Sequence, residues 1–493
     1  MQVTRPGDAV REWNRLYVDG RWYAPEGGES IVVYEAATAE PMGQVPAGGA
    51  SDVDAALAAA SRALPSWSRT PVAERAGYLR ALADGLVARE AELAELMARE
   101  VGTPLATSVR VQVGLAVTIF RSMADLIEQL PAEERVGTSL VVRQPVGVVA
   151  GITPWNYPLY QLAAKLGPVI ASGSTSVIKP SSVAPLATFV LAEIAHEIGL
   201  PAGVFNLLSG RGAVIGEMLA ASPLVDMVSI TGSTGAGARV AEVAAPNITK
   251  VALELGGKSA FLLAEGADLD AAVAAAVRGC FVNNGQTCSA TTRLLVPSSL
   301  LAEVEQRVEA HVAAFTVGDP VVPGTDLGPV ASAGQQQTVR DYIDVGAEEG
   351  STVIGGPGNV QGHEAGYFVR PTVFSRLAPD ARVVREEIFG PVLSMVPYTG
   401  IEQGIAFAND SEYGLSGAVW AEDVTAAVGI ARQLRTGQVA VNGGRFNAKA
   451  PFGGFKKSGI GRELGEHGLL EYLEVTSIQF PSADDLAIFD PAP

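Results

Sequence analysis

Cys288 stands in the run Phe281-Val282-Asn283-Asn284-Gly285-Gln286-Thr287-Cys288-Ser289 of a 493-residue chain that has only two cysteines. Its small polar neighbours can leave a sulfur accessible and donate hydrogen bonds to a thiolate. A thiolate is the strongest side-chain nucleophile, although a free thiol of pKa about 8.5 is only slightly ionised at neutral pH. A buried structural thiol is the competing reading. Glu254, in Leu253-Glu254-Leu255-Gly256-Gly257-Lys258, ends a strand that is otherwise apolar. A carboxylate held there is desolvated and its pKa raised, as a general base requires. The alternative is an edge-strand carboxylate paired with Lys258. Asn156, in Pro154-Trp155-Asn156-Tyr157-Pro158, precedes a helix and serves either as its N-cap or as an amide donor to an oxyanion. Lys179, after Ser176-Val177-Ile178, either reaches a ribose hydroxyl or phosphate or is a solvated strand end.

Three glycine-rich segments compete as phosphate sites. Gly210-Arg211-Gly212-Ala213-Val214-Ile215-Gly216 follows a strand but is one residue longer than a dinucleotide fingerprint, and Gly459-Ile460-Gly461-Arg462-Glu463-Leu464-Gly465 has no preceding strand. The third, Thr231-Gly232-Ser233-Thr234-Gly235-Ala236-Gly237, sits at the carboxyl end of an apolar strand and opens a helix. Open α/β sheets bind ligands at that edge, and a helix N-terminus presents N–H groups to phosphate. Ser233 adds a hydroxyl; a plain strand–helix turn is the alternative.

These segments need a scaffold. Residues 16–23 place Asp19-Gly20 between two apolar runs, a hairpin signal. A helix capped by Ser51 and a second from about Pro71 to Arg99 follow. From residue 146 the pattern alternates. Strands at 146–152, 175–179, 204–208, 227–231 and 251–255 are separated by helices, the first striped by Leu159, Leu162, Ala163, Leu166 and Ile170. Strands at 261–263, 293–296, 393–398, 415–420 and 438–441 form a second series. Such alternation implies parallel sheets with helices on both faces, two doubly wound α/β domains joined near 255–260. Segment 127–145 and a strand near 475–480 fit neither and are expected to pair as a projecting arm.

Composition narrows the class. The net charge is -18 with no basic cluster, which argues against a nucleic-acid partner. Met1–Asp8 has no apolar core of a signal peptide, and no apolar run is long enough to span a bilayer. Two cysteines eight apart make no disulfide framework and suit a reducing, cytoplasmic setting. The histidines His196, His311, His363 and His467 are scattered, so no metal is expected.

Taken in order, Pro154-Trp155-Asn156-Tyr157-Pro158, Lys179-Pro180-Ser181, Thr231-Gly232-Ser233-Thr234, Leu253-Glu254-Leu255-Gly256-Gly257-Lys258, Gly285-Gln286-Thr287-Cys288, Glu386-Glu387-Ile388-Phe389-Gly390-Pro391 and Pro451-Phe452-Gly453-Gly454 resemble the aldehyde dehydrogenase superfamily from about residue 15 to 480. The resemblance implies a Rossmann-like dinucleotide-binding domain over 1–126 and 146–255, a catalytic thiol domain over 256–457, and a small β oligomerisation arm over 127–145 and 470–485. It implies an NAD(P)-dependent, non-acylating oxidation of an aldehyde to the acid. Cys288 forms a thiohemiacetal and then a thioester, Asn156 and the Cys288 N–H hold the oxyanion, and Glu254 activates the hydrolytic water. Lys179 would bind the adenosine ribose, Ser233 the pyrophosphate and Glu387 the nicotinamide ribose. Phe389 would pack beside the nicotinamide, and Ile152, Trp155, Gly232 and Leu255 would line the cleft.

Ser182 departs from the family, whose NAD-selective members usually carry Glu there. A carboxylate would accept from a ribose 2′-hydroxyl and repel a 2′-phosphate; serine permits NADP as well as NAD. By analogy the substrate tunnel is lined by Val113, Val117, Tyr157, Gln161, Ala164, Thr287, Ser289, Phe446 and Phe452. Ala164 stands where an aromatic is common, which leaves room for an aromatic or medium-chain aldehyde. Arg445 keeps a semialdehyde open, and a CoA-acylating reaction is the rival that Glu254 argues against. The family assembles through its arm as homodimers or homotetramers, and Glu474 is expected to pair with Arg462 or Lys250.

Overall fold

The computed structural model describes residues 11–488. The segment Met1–Asp8, expected not to be a signal peptide, lies outside them. An eight-stranded sheet runs in the order Gly459–Ile460, Lys250–Glu254, Met227–Thr231, Val148–Ile152, Thr175–Lys179, Phe205–Leu207, Leu16–Val18, Arg21–Tyr23. The five strands from Lys250–Glu254 to Phe205–Leu207 are parallel. Within the parallel part the chain starts at Val148–Ile152, runs to one side through two strands, then returns to build the other side. The order therefore reverses between Val148–Ile152 and Met227–Thr231, where doubly wound sheets open a ligand crevice at their carboxyl edge. Register aligns the edge residues: Ile230 opposite Ile152, Ile152 opposite Lys179, and Thr231 opposite Glu254.

A seven-stranded sheet follows, in the order Ser351–Ile354, Thr372–Ser375, Val392–Tyr398, Arg293–Pro297, Ala260–Leu263, Ser416–Trp420, Gln438–Val441. All its pairings are parallel except the first. The sequence reading missed Ser351–Ile354 and Thr372–Ser375. The short segment 255–259 crosses from one sheet to the other, so residues flanking it belong to both.

The helix Pro158–Ser172 carries the expected stripe, but all fifteen of its residues are buried. It lies under the first sheet and against the helix Gly114–Gln129, so a one-sided apolar face would not suffice. Proline at its first position has no N–H to lose, and Gly173 ends it at φ 87°. The hairpin turn is as read: Asp19 (φ 54°) and Gly20 (φ 70°) are both left-handed, which matches the twist of the flanking strands. Two helix expectations are corrected. The first helix is Ala50–Trp67, begun by Gly49 rather than Ser51, because the Asp52 carboxylate accepts the Gly49 N–H (2.7 Å) and the Tyr23 hydroxyl (2.7 Å). The span 71–99 is two helices, Val72–Ala88 and Glu90–Val101. They part at Arg89, whose guanidinium is held by Glu92 and Glu193.

Ser139–Pro145 pairs antiparallel with Leu473–Gln479 over seven positions and with Glu133–Val136 on its other side. Val475 and Ile478 on the outer strand are exposed. Glu474 lies 3.5 Å from Lys250, whereas Arg462 donates to the carbonyls of Gly454 and Gly461.

Candidate active site

The loop carrying the thiol is built from left-handed residues. After the helix Leu269–Phe281, Asn283 (φ 53°), Asn284 (φ 60°) and Gly285 (φ 75°) follow one another. Asparagine and glycine tolerate that region best. A Cβ on Gly285 would lie 2.1 Å from the Gly390 carbonyl oxygen. Side-chain amides then fix the loop. Asn284 donates to the Gly102 and Pro329 carbonyls (2.8 Å each) and accepts from the Gly328 N–H (2.7 Å). Gln286 accepts from the Ala331 N–H (2.8 Å), and Asn283 donates to the Asn156 carbonyl (3.0 Å). These bonds replace the ladder that such a loop cannot form.

Asn156 is not the helix cap expected as one reading; Tyr157 holds that position. Its backbone carbonyl accepts from Gln112 (2.9 Å) and Asn283, and its side-chain amide donates to the Gln286 carbonyl (3.0 Å). One amide hydrogen is thus committed, and the other is left for a ligand in the cleft that Asn156 and Cys288 both line. Cys288 is partly exposed there. Desolvation first, then Glu254 and Glu387, push its thiol up to about 12, against the pull of the Ser289 and Cys288 N–H groups. Cys280 is fully buried against the Val392 carbonyl.

Glu254 is buried, and neither carboxylate oxygen has a hydrogen-bond partner. Its strand is flanked on both sides, so it is no edge carboxylate, and it does not pair with Lys258, whose ammonium is itself buried and unpartnered. Oε1 rests on Gly453, where a Cβ would come within 2.6 Å. Burial raises the Glu254 pKa far above the usual carboxylate value, and Glu463 adds to the rise while Lys165 and Arg462 oppose it. Sequence reasoning did not find that neighbourhood. Lys165 and Glu463 form a buried ion pair at 2.5 Å, and Lys165 also donates to the Thr231 hydroxyl (2.8 Å).

Along the carboxyl edge of the first sheet runs a cleft of about 440 Å3. It is lined by Ile152, Trp155, Asn156, Lys179, Gly232, Ser233, Leu255, Cys288, Glu387 and Phe389, which brings together all but one of the cofactor residues expected. The exception is Ser182, whose hydroxyl donates to the Gly210 carbonyl (2.8 Å), while Ser181 faces the cleft. Lys179 is buried rather than a solvated strand end, and desolvation lowers its pKa to about 8. Ser233 caps the helix Thr234–Ala244, accepting from the Ala236 N–H (3.2 Å), which leaves the helix N-terminus facing the cleft. Glu387 accepts the Gly257 N–H (2.8 Å) and sits so close to Gly256 that a Cβ there would meet it at 2.3 Å; burial lifts its pKa to about 7. Trp155 and Phe389 meet edge to face at 5.3 Å. Gln335 was missed; it donates to the Ile388 and Phe389 carbonyls and so holds that turn, with no local signal in sequence. An unpartnered lysine, a helix N-terminus and a buried carboxylate along one apolar-walled cleft suit a dinucleotide. Of the rival glycine segments, Gly459–Ile460 is a short strand, whereas Gly212 and Gly216 abut Lys179 and Ile152 at the wall of the cleft.

Beyond the thiol, aromatic rings meet in sequence. Tyr157 meets Tyr160 (6.0 Å), Tyr160 meets Phe446 (6.3 Å), and Phe446 meets Phe452 (6.0 Å). Val113, Val117, Ala164 and Phe452 belong to the same apolar cluster, against which Cys288 packs. Tyr157 shares a hydrogen bond with the Thr287 hydroxyl (2.7 Å). Gln161, four residues from both Tyr157 and Lys165, is buried and accepts from the Thr231 hydroxyl (3.3 Å). Ser289 opens with Phe446 and Arg445 onto a separate groove of about 890 Å3 beside Gln438–Val441. Tyr160 was not foreseen.

The model of the aldehyde dehydrogenase family matches residues 22–478. Over 471 residues the chain is 44% identical to 3-succinoylsemialdehyde-pyridine dehydrogenase of a Pseudomonas species, covering 95% of this chain and 99% of the relative. A crystal structure of a cysteine-to-alanine mutant of aldehyde dehydrogenase C from Pseudomonas syringae, in complex with NAD+ and octanal, superposes with a TM-score of 0.93 at 44% identity, covering 97% of this chain and 98% of that one. Betaine aldehyde dehydrogenase from Staphylococcus aureus in complex with NAD+ gives 0.92 at 35% identity, with 94% of each chain covered.

Proposed function

The chain belongs to the aldehyde dehydrogenase family and is an NAD(P)-dependent oxidoreductase of aldehydes, and from that footing we propose that it oxidises an aromatic or medium-chain aldehyde to the acid through an acyl thioester on Cys288. The observation that carries this reading is the pairing of a cleft-facing thiol with a desolvated carboxylate that has no partner of its own. The Cys288 sulfur adds to the carbonyl carbon; the S–C bond forms and the thiol proton leaves to water. Charge appears on the carbonyl oxygen, and the free Asn156 amide hydrogen and the Cys288 N–H are fixed donors for it. A bound NAD or NADP supplies the hydride acceptor that converts this adduct to a thioester. Glu254, once ionised, takes a proton from water, which attacks the thioester and releases the acid and the thiol. A group with a raised pKa is a stronger base when ionised, so the burial of Glu254 suits that step.

Lys179 and the helix N-terminus at Ser233 would hold the adenosine and phosphate half, and Glu387 the nicotinamide ribose. We read Ser182 as permitting NADP at least as well as NAD, because no carboxylate stands there to repel a 2′-phosphate and Lys179 is near to attract it. A hundredfold preference for NAD in kcat/KM would overturn that. The substrate class rests on the aromatic wall and the space beside Ala164. It agrees in kind with the pyridine-bearing semialdehyde named for one relative and the octanal bound by another. Arg445 beside Phe446 keeps a semialdehyde as the second reading.

We infer a cofactor domain over 1–126 and 146–255, of which residues 1–10 lie outside the described residues, a thiol domain over 256–457, and an arm over 127–145 and 470–485. The exposed apolar residues of that arm fit assembly as a homodimer or homotetramer, checked by sedimentation. A free nucleophilic thiol suits the cytoplasm; among the described residues no helix is long and apolar enough to cross a membrane. An aldehyde panel with each cofactor, followed by product identification, tests the whole reading. Carboxylic acid as product supports it, and acyl-CoA as the main product overturns it.

A further inference from the structure

Tyr160 carries a hydroxyl that the chemistry above leaves unused. Tyr160 and Ala164 lie four apart on one face of the helix Pro158–Ser172, just after Tyr157 at its N-cap. The Tyr160 ring sits between Tyr157 and Phe446, and the residue is 6% exposed. It packs on Tyr157, whose hydroxyl meets Thr287 beside Cys288, so it lies next to the thiol loop rather than at the surface. The Tyr157 hydroxyl is committed to Thr287. That of Tyr160 has no hydrogen-bond partner among the described residues, yet it is not sealed in protein as the orphaned Glu254 oxygens are. The rest of the wall is apolar: Val113, Val117, Ala164 and Phe452. A single free donor in an apolar tunnel discriminates strongly, because a substrate without an acceptor leaves it unpaired.

We propose that the Tyr160 hydroxyl is a specificity determinant that donates a hydrogen bond to a second oxygen on the substrate, so that the enzyme prefers oxo-substituted aldehydes to plain ones. This rests on the aldehyde-oxidising reading above. Neighbours one helical turn apart are separated by about 5–6 Å, or about four carbon–carbon bonds. With Tyr157 beside the thiol loop and the Tyr157 and Tyr160 rings 6.0 Å apart, the acceptor is expected a few bonds from the aldehyde carbon, and a γ-oxo group is the one tested. Ala164, one turn further along the same face, leaves room for whatever lies beyond.

The test uses a matched pair, γ-phenylbutanal and γ-oxo-γ-phenylbutanal, with wild type and Tyr160→Phe. Wild type is expected to favour the oxo compound in kcat/KM by roughly ten- to hundredfold, chiefly through KM. The variant should bring that ratio to within about threefold of unity. Calorimetric binding of the two corresponding acids reads the same preference without turnover. It therefore separates failure of this proposal from failure of the aldehyde-oxidation reading. A ratio equal in both proteins, or a loss shared equally by both compounds, overturns it.

Discussion

Glu254→Gln separates the two halves of the proposed reaction. Neither Glu254 oxygen has a partner, so glutamine of the same shape breaks no hydrogen bond within the protein. What it removes is the base. Loss of a positioned base costs roughly a hundred- to ten-thousandfold, about 2.7–5.4 kcal/mol at 1.36 kcal/mol per tenfold. That cost should fall on thioester hydrolysis alone. Stopped-flow recording of NADH should therefore show a burst approaching one equivalent per chain, followed by a steady rate reduced by that factor. The same substitution makes a stability prediction. The folded pKa of Glu254 is raised above its unfolded value near 4.5, so between those two pKa values the folded state holds a proton that the unfolded state has lost. Stability of the wild type then falls as pH rises through that window, by up to about 1.4 kcal/mol per pH unit. Glutamine has no such proton, so the variant's Tm should exceed that of wild type by a margin that widens with pH. A steady rate within about threefold of wild type, or burst and steady rate lost in equal proportion, would refute the assignment.

Asn156→Ala removes an oxyanion donor and should lower kcat by roughly a hundred- to a thousandfold, about 2.7–4 kcal/mol, with little change in KM; a loss under about tenfold would place the donor elsewhere. Glu463→Gln removes the largest charge contribution raising Glu254, so the acid limb of the kcat–pH profile should move to lower pH, and an unmoved limb would contradict the coupling. Because Lys165 is left buried without its partner, the same variant should lose about 3–5 kcal/mol of stability in denaturant titration. On the proposed reading of Ser182, Ser182→Glu brings a carboxylate toward the cofactor's 2′ position, and the NADP-to-NAD ratio of kcat/KM should fall by roughly tenfold or more; an unchanged ratio would move 2′ recognition away from this position.

Much of the scaffold was legible because its signals are local. Strands 227–231 and 438–441 are apolar runs bounded by turn residues, and both stand where they were read. Ser351–Ile354 and Thr372–Ser375 were hidden because they are short and rich in Ser and Thr. Their place is set by pairing with Val392–Tyr398 rather than by their own pattern. The break at Arg89 carries neither glycine nor proline; its guanidinium is held by Glu92 and by Glu193, 104 positions away in sequence. Ile152, Lys179 and Ser233 were legible as cleft residues because they sit at or just past strand ends, whereas Glu387 and Phe389 lie in the loop before Val392–Tyr398 and were expected only from the resemblance. The tunnel was harder. Its expected lining came from the resemblance rather than from periodicity, and Tyr160 was overlooked because a helix buried all round shows no single apolar face to read. The Lys165–Glu463 pair joins positions 298 apart, and nothing local marks either residue as buried.

The central claim is that Cys288 carries the acyl group. Mass spectrometry of Glu254→Gln, quenched after the burst with aldehyde and cofactor, tests it most directly. The expected result is a mass gain equal to the acyl group, mapped to the peptide bearing Cys288 and absent from Cys280. An unmodified Cys288 in enzyme that has completed its burst would contradict the account, as would full turnover by Cys288→Ala.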